Sequence, residues 1–350
     1  MFKNITIGVL TIFVLLGCSS DDKSKSNRSF NEVERDIIHK YMNKFPNNVQ
    51  ISIAKIEDAD VYYYGAVNQN KNVVTIDNQS SGFMIGSISK VFTSTLLAQL
   101  VLDGKVTLDE NIAEKLPFPL HNDISISYKQ LANHTSGIDD SDLEEINTTY
   151  YNEYNALDDS DTIRYLKNDL VVWNRQGMFN YSNIGVSILG YMLTHIENRS
   201  YEKLLQERIF SKLSMDKSTT IRGDNLVPAI ANDEPIPPMF ESAGGIISTV
   251  EDLYQFALAT FDDNPEYLLT QKATFKLDDI TTIGLGWFIE KDNNRGLNFL
   301  RHDGDTDGYR SSMILDKDNQ NGIIILSNLP DGNNIFIRNL AEELMKEIYK

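Results

Sequence analysis

Ser87 and Lys90 lie three residues apart in Phe83-Met84-Ile85-Gly86-Ser87-Ile88-Ser89-Lys90-Val91-Phe92, a polar pair inside an apolar run. On a helix, positions i and i+3 share a face, which stacks the hydroxyl and the amine. A serine hydroxyl is a weak nucleophile until a neighbour takes its proton. A lysine can take it only where desolvation or nearby positive charge lowers its pKa. Backbone N–H groups at the same helix start suit a developing oxyanion. The spacing recurs at Ser20/Lys23, Ser200/Lys203 and Ser214/Lys217. Those three read as a polar linker, a helix N-cap with a solvated lysine, and a polar connection. Only Ser87 has an apolar setting, and its plain alternative is a helix N-terminus with a snorkelling lysine.

Two further clusters carry chemistry. Tyr181-Ser182-Asn183 follows a turn at Gly177 and precedes the apolar run Ile184 to Gly190. A phenol can act as general acid or base, and an amide can donate to a substrate while accepting from a lysine. The alternative is a core tyrosine beside an asparagine cap. Arg301-His302-Asp303-Gly304-Asp305-Thr306-Asp307-Gly308-Tyr309 imitates a calcium loop, but Ile314 stands where its bidentate glutamate belongs. No metal or other cofactor is expected.

The elements that must position these residues follow from periodicity. Helices are predicted over 31–45, from Ser87 to Leu102, and over 161–168, 183–197, 201–213, 249–260 and 335–349. Strands are predicted over 49–56, 61–67, 283–290, 296–301, 309–315 and 322–327. Strands at both ends with helices between imply an α/β domain, 31–106 and 233–350, holding a mostly helical domain, 107–232.

In this order the three clusters resemble the serine beta-lactamase-like family of class C beta-lactamases, D-alanyl-D-alanine carboxypeptidases, D-aminopeptidases and related esterases. Supporting segments are Leu131 to Gly137, Gly177 to Gly185, Ser242 to Thr249 and Gly284 to Trp287. The resemblance implies an α/β fold, an antiparallel sheet flanked by helices with an inserted all-helical domain and the active site between them. It implies Ser87 as nucleophile, with Lys90 or Tyr181 as its base, and Asn183 orienting substrate and lysine. His302, Gly304 and Asp305 would bind substrate, with the Ser87 and Asp305 backbone N–H groups as oxyanion hole. His302 stands where class C beta-lactamases carry lysine, and His134 reads as structural. Asp303 replaces a threonine common in carboxypeptidase-like members, and its charge would disfavour substrates ending in a carboxylate. The expected activity is that of a serine hydrolase acting through an acyl-enzyme on ester, amide or D-amino-acid peptide substrates. A carboxypeptidase or beta-lactamase, and a catalytically silent binding lipoprotein, are the alternatives.

Residues 1–17 combine Lys3 with an apolar stretch from Ile5 to Leu16, too short to span a bilayer comfortably, and Cys18 is the chain's only cysteine. Leu15-Leu16-Gly17-Cys18 resembles a bacterial lipoprotein signal, which implies lipid attachment at Cys18, a polar tether over 18–30 and an envelope location at the outer membrane. Ser19-Ser20-Asp21-Asp22 is similar to signals for surface display. Removing Lys3 with the signal takes the formal charge from −18 to −19, 31 basic against 50 acidic residues, which repels nucleic acid. Partners are therefore a small-molecule or peptide substrate and the lipid anchor.

Overall fold

The computed structural model describes residues 29–140, 158–173, 175–231, 234–330 and 334–350, so the expected signal and Cys18 lie outside the described residues. Helix α1 (Glu32–Met42) starts at a capping box in which Asn31 and Glu34 bond each other's backbone N–H. It leads into β1 (Gln50–Glu57), β2 (Asp60–Gln69) and β3 (Asn72–Ile76). After the short β4 (Phe83–Met84), a 3₁₀ turn over Gly86–Ile88 opens α2 (Ser89–Leu102). Among the described residues, four α-helices follow before residue 206: α3 (Tyr128–Ala132), α4 (Asp159–Asn168), α5 (Asn183–Glu197) and α6 (Tyr201–Leu205). The chain returns through α7 (Glu241–Gly244), β5 (Ile247–Ser248), α8 (Val250–Phe261) and α9 (Pro265–Gln271). It ends in β6 (Phe275–Lys276), β7 (Thr281–Ile283), β8 (Phe288–Asp292), β9 (Leu297–Asp305), β10 (Arg310–Asp316), β11 (Asn321–Ser327) and α10 (Asn334–Ile348).

Nine strands form one antiparallel sheet in the order β3-β2-β1-β11-β10-β9-β8-β7-β6, so the two ends of the chain meet at β1 and β11. Both faces are covered. Ile323 and Ile325 of β11 join the core under α1 and α10, while Ile324 and Leu326 join the larger core that holds α2. That two-sided burial is why β11 reads as an unbroken apolar run. Helix α2 has no solvent-facing polar side and is buried from Ser89 to Leu100, the arrangement of a central helix.

Several expectations change, among them the strand expected over 296–301, which runs on to Asp305 as β9. The strand expected over 283–290 is two, β7 and β8, separated by Gly284 to Trp287. Gly286 has φ +73°, and a Cβ there would stand 2.8 Å from the Lys90 carbonyl oxygen, so this turn presses the sheet against α2. The helix expected over 201–213 contains a π turn at Gln206–Phe210. Strand β3 was not anticipated; its exposed, polar-interrupted Asn72–Ile76 is an edge strand with little apolar pattern.

Candidate active site

The Gly86–Ile88 turn carries Ser87, and α2 places Lys90 three residues later. Lys90 is fully buried, and its Nζ sits 2.9 Å from Ser87 Oγ, 2.7 Å from Asn183 Oδ1 and 2.7 Å from the Ala243 carbonyl oxygen. Burial pulls its pKa down to about 7 against the opposing pull of Asp140. A neutral amine has two hydrogens and one lone pair. Asn183 Oδ1 and the Ala243 carbonyl can only accept, so they take the hydrogens and leave the lone pair for the Ser87 hydroxyl.

Asn183 opens α5, and its amide orientation is set by Asp140, whose Oδ2 accepts from Asn183 Nδ2 at 2.7 Å. Asp140 also accepts from the backbone N–H groups of Asn183 and Ile184 and from the Ser182 hydroxyl. Tyr181 lines the same cleft as Ser87, and the Lys90 amine lies 5.0 Å from its ring centre. Burial raises the phenol's pKa, which keeps it protonated. Its ring lies against His134, centroids 4.3 Å apart, and His134 Nδ1 accepts from the Ser182 N–H at 3.2 Å. Burial holds His134 neutral, consistent with a positioning part behind the tyrosine.

Strand β9 supplies the opposite wall. Its pairing with β8 ends at Arg301, while its pairing with β10 continues to Asp305, so residues 302–305 run past the end of β8. His302 Nδ1 donates to the Asp303 carbonyl at 2.7 Å, and its Nε2 has no partner among the described residues. Burial lowers its pKa to about 4, so Nε2 is an acceptor at neutral pH. Gly304 is a spacer: a Cβ there would stand 2.0 Å from the Ile85 carbonyl oxygen. Gly86, at φ +52°, likewise leaves room for the Asp305 backbone N, 2.7 Å from where its Cβ would be. The two glycines let the end of β9 lie against the Ser87 turn, with the Asp305 amide beside it. Ser87, Tyr181, Asn183, His302 and Asp305 all line one cleft of about 370 Å³.

The family model described as Beta-lactamase matches residues 49–344. The chain belongs to that family. Beta-lactamase-like protein 2 of Dictyostelium discoideum is 25% identical over 92% of this chain and 63% of its own length. Protein flp of Staphylococcus aureus (strain MRSA252) is 24% identical over 81% of this chain and 59% of its own. The chain thus spans about three fifths of the length of these curated relatives. In fold it is similar to a beta-lactamase/D-alanine carboxypeptidase from Yersinia pestis complexed with citrate. The TM-score is 0.74 and the identity 18%, over 90% of this chain and 99% of that one.

On this Beta-lactamase fold, one feature was not legible beforehand. Asp140 lies three residues past the Leu131 to Gly137 segment, and only tertiary folding brings it to α5. An acid shortly after the His-Thr-Ser-Gly turn was the available signal. Arg301, with Arg310 a candidate counter-charge to Asp303, pairs with Asp303 at 3.0 Å, with Glu342 at 2.7 Å and with Glu290 at 3.6 Å. Ser312 also donates to Asp303 at 2.6 Å. The charge of Asp303, expected to repel carboxylates, is thus largely met from within. Arg310 pairs with Asp305 at 2.9 Å. Among the described residues, no group of three or more His, Cys, Asp or Glu is placed to hold a metal ion. None of their helices is long and apolar enough to cross a membrane.

Proposed function

We propose that this protein, a serine-hydrolase-type member of the Beta-lactamase family, uses Ser87 as nucleophile and Lys90 as its base, forming an acyl-enzyme with esters, amides or D-amino-acid peptides. The observation that carries the reading is the lysine's hydrogen-bond set: two pure acceptors and one hydroxyl around a buried amine with a pKa of about 7. Lys90 takes the Ser87 proton as Oγ attacks the carbonyl carbon. The Ser87 and Asp305 backbone N–H groups receive the oxyanion, each worth about 3 kcal/mol. Tyr181, held protonated, passes a proton to the leaving group and is restored from Lys90. Water then hydrolyses the ester at Ser87 by the reverse proton path.

His302 favours substrates that offer it a hydrogen-bond donor, since its Nε2 is an unprotonated acceptor. The pairing of Asp303 with Arg301 keeps substrates ending in a free carboxylate within range, alongside neutral esters and amides. Attachment through Cys18 would tether the enzyme at the cell envelope. Two acyl chains make such anchoring stable, at about 0.8 kcal/mol per buried methylene.

The test is intact-protein mass spectrometry after incubation in parallel with a fluorophosphonate, a penicillin and an activated short-chain ester. An adduct on wild type and on Ser200→Ala and Ser214→Ala, absent from Ser87→Ala, is expected. Equal labelling of Ser87→Ala and wild type would reject the assignment.

A further inference from the structure

Behind the catalytic lysine, on the far side of α7, lies a second cavity of about 350 Å³ walled by α4, α5, α6 and α7. Three carboxylates line it, Asp158, Asp159 and Glu241, and no lysine or arginine is among its lining residues. Asp158 is committed to capping α4. Glu241 is different. Its carboxylate is partly buried and makes no hydrogen bond or ion pair among the described residues, and burial together with Glu202 and Asp159 raises its pKa to about 7. A partly buried carboxylate with other carboxylates nearby and no lysine or arginine lining its cavity lacks the counter-charge such groups ordinarily have.

A second, independent observation points the same way. Ser187 of α5 lines this cavity, is 2% exposed, and its hydroxyl has no hydrogen-bond partner among the described residues. Unmet buried hydroxyls are uncommon and call for a partner. The rest of the wall mixes the rings of Tyr191 and Tyr201, with Pro238 and Met239, and the hydroxyl side chains of Ser160, Thr162, Thr194, Ser200 and Ser242. Aromatic faces attract organic cations, whereas a hydrated metal ion would ask for oxygen ligands on all sides.

We propose that this cavity is a binding site for a small organic primary ammonium, with Glu241 and Asp159 supplying the negative charge, Ser187 a hydrogen bond and the two tyrosine rings the walls. The site is built into the framework of the active site. Ser242, next to Glu241, donates to the Val186 carbonyl at 3.2 Å, and a Cβ on Gly190 would stand 2.1 Å from its hydroxyl, so α7 and α5 are in direct contact. The Ser242 carbonyl accepts from Thr93 and the Ala243 carbonyl from Lys90, each at 2.7 Å. The ligand therefore sits one residue from groups that hold the catalytic helix, without touching Ser87.

Isothermal titration calorimetry of the full chain with 1,4-diaminobutane, n-butylammonium and magnesium chloride tests this. Saturable one-to-one binding of the amines is expected, weakened roughly tenfold or more by Glu241→Gln and by Asp159→Asn. Asp159 stands in the exposed first turn of α4, so that variant keeps the test valid if Glu241→Gln folds poorly. Ser87→Ala should bind as wild type does, which separates this site from the hydrolase reading. Asp279→Asn, removing a remote exposed carboxylate, should also leave binding unchanged. Equal affinity in wild type, Glu241→Gln and Asp159→Asn would overturn the proposal. So would equal weakening by Asp279→Asn, or magnesium binding as tightly as the amines.

Discussion

Two buried lysines divide the molecule's two cores. Lys55, on β1 in the core under α1, is 2% exposed and bonds both carboxylate oxygens of Glu34 at 2.7 and 3.0 Å, with Glu57 at 3.5 Å. Its amine also lies 5.2 Å from the Phe30 ring centre. Lys90, on the other face of the sheet, is just as buried but has no carboxylate in contact; its partners are a hydroxyl, an amide and a backbone carbonyl. Burial alone therefore does not make a lysine a base. Around Lys90, neutral acceptors stand where a counter-ion would be, and desolvation lowers its pKa to about 7.

The sharpest way to break this contrast is to remove each amine. Lys90→Met should lower kcat on an activated ester by on the order of 10⁴-fold, as Ser87→Ala should, because the two act as one unit. Lys55→Met should leave turnover per folded molecule unchanged and cost about 3–5 kcal/mol of stability in urea melts, because Glu34 is stranded without its cation. Comparable loss of kcat in both variants would erase the distinction.

Tyr181→Phe comes next. It keeps the ring against His134 and removes only the proton donor, so kcat should fall by roughly 10²–10³-fold with little change in thermal stability. A larger loss on amides than on activated esters is expected, since a good leaving group needs less protonation.

Asp140→Asn sharpens the electrostatics. The negative charge of Asp140 raises the Lys90 pKa, so removing it should move the acidic limb of the kcat/KM profile to lower pH. Asn183 loses an anchor at the same time, and kcat should drop about tenfold. An acidic limb that stays in place would show that Lys90 is not the titrating group. The smallest effect is expected for Asp303→Thr. With Asp303 already paired to Arg301, the ratio of kcat/KM on an ester to that on a D-alanyl-D-alanine peptide should change by less than about tenfold.

What sequence made legible and what it hid follow the same physics. Ser87, Lys90, Tyr181 and Asn183 were readable because each stands at the start of an apolar helix, where a polar residue breaks the pattern. The structure places Ser87, Tyr181 and Asn183 on one cleft, with the Lys90 amine 2.9 Å from Ser87 Oγ and 2.7 Å from Asn183 Oδ1. Helix α5, at Asn183–Glu197, matches its expected span, and β10 and β11 fall within a residue of theirs. Asp140 was opaque because its meaning lies in a partner 43 residues away. Gly304 read as a binding residue, yet its tight approach to Ile85 is a backbone property that only the paired strands reveal. The Gly284 to Trp287 break was hidden because two short strands and an apolar turn carry the same pattern as one strand.

The central claim is that Lys90 is the neutral base for Ser87. Its most direct test is the pH dependence of the second-order rate of Ser87 labelling by a fluorophosphonate between pH 5 and 9. Only the neutral amine can accept a proton, so the rate should rise as pH increases through about 7 and level off above it, in keeping with a lysine pKa lowered by burial. A rate that is flat from pH 5 to 8, or one that climbs only near the ordinary lysine range, would contradict the account.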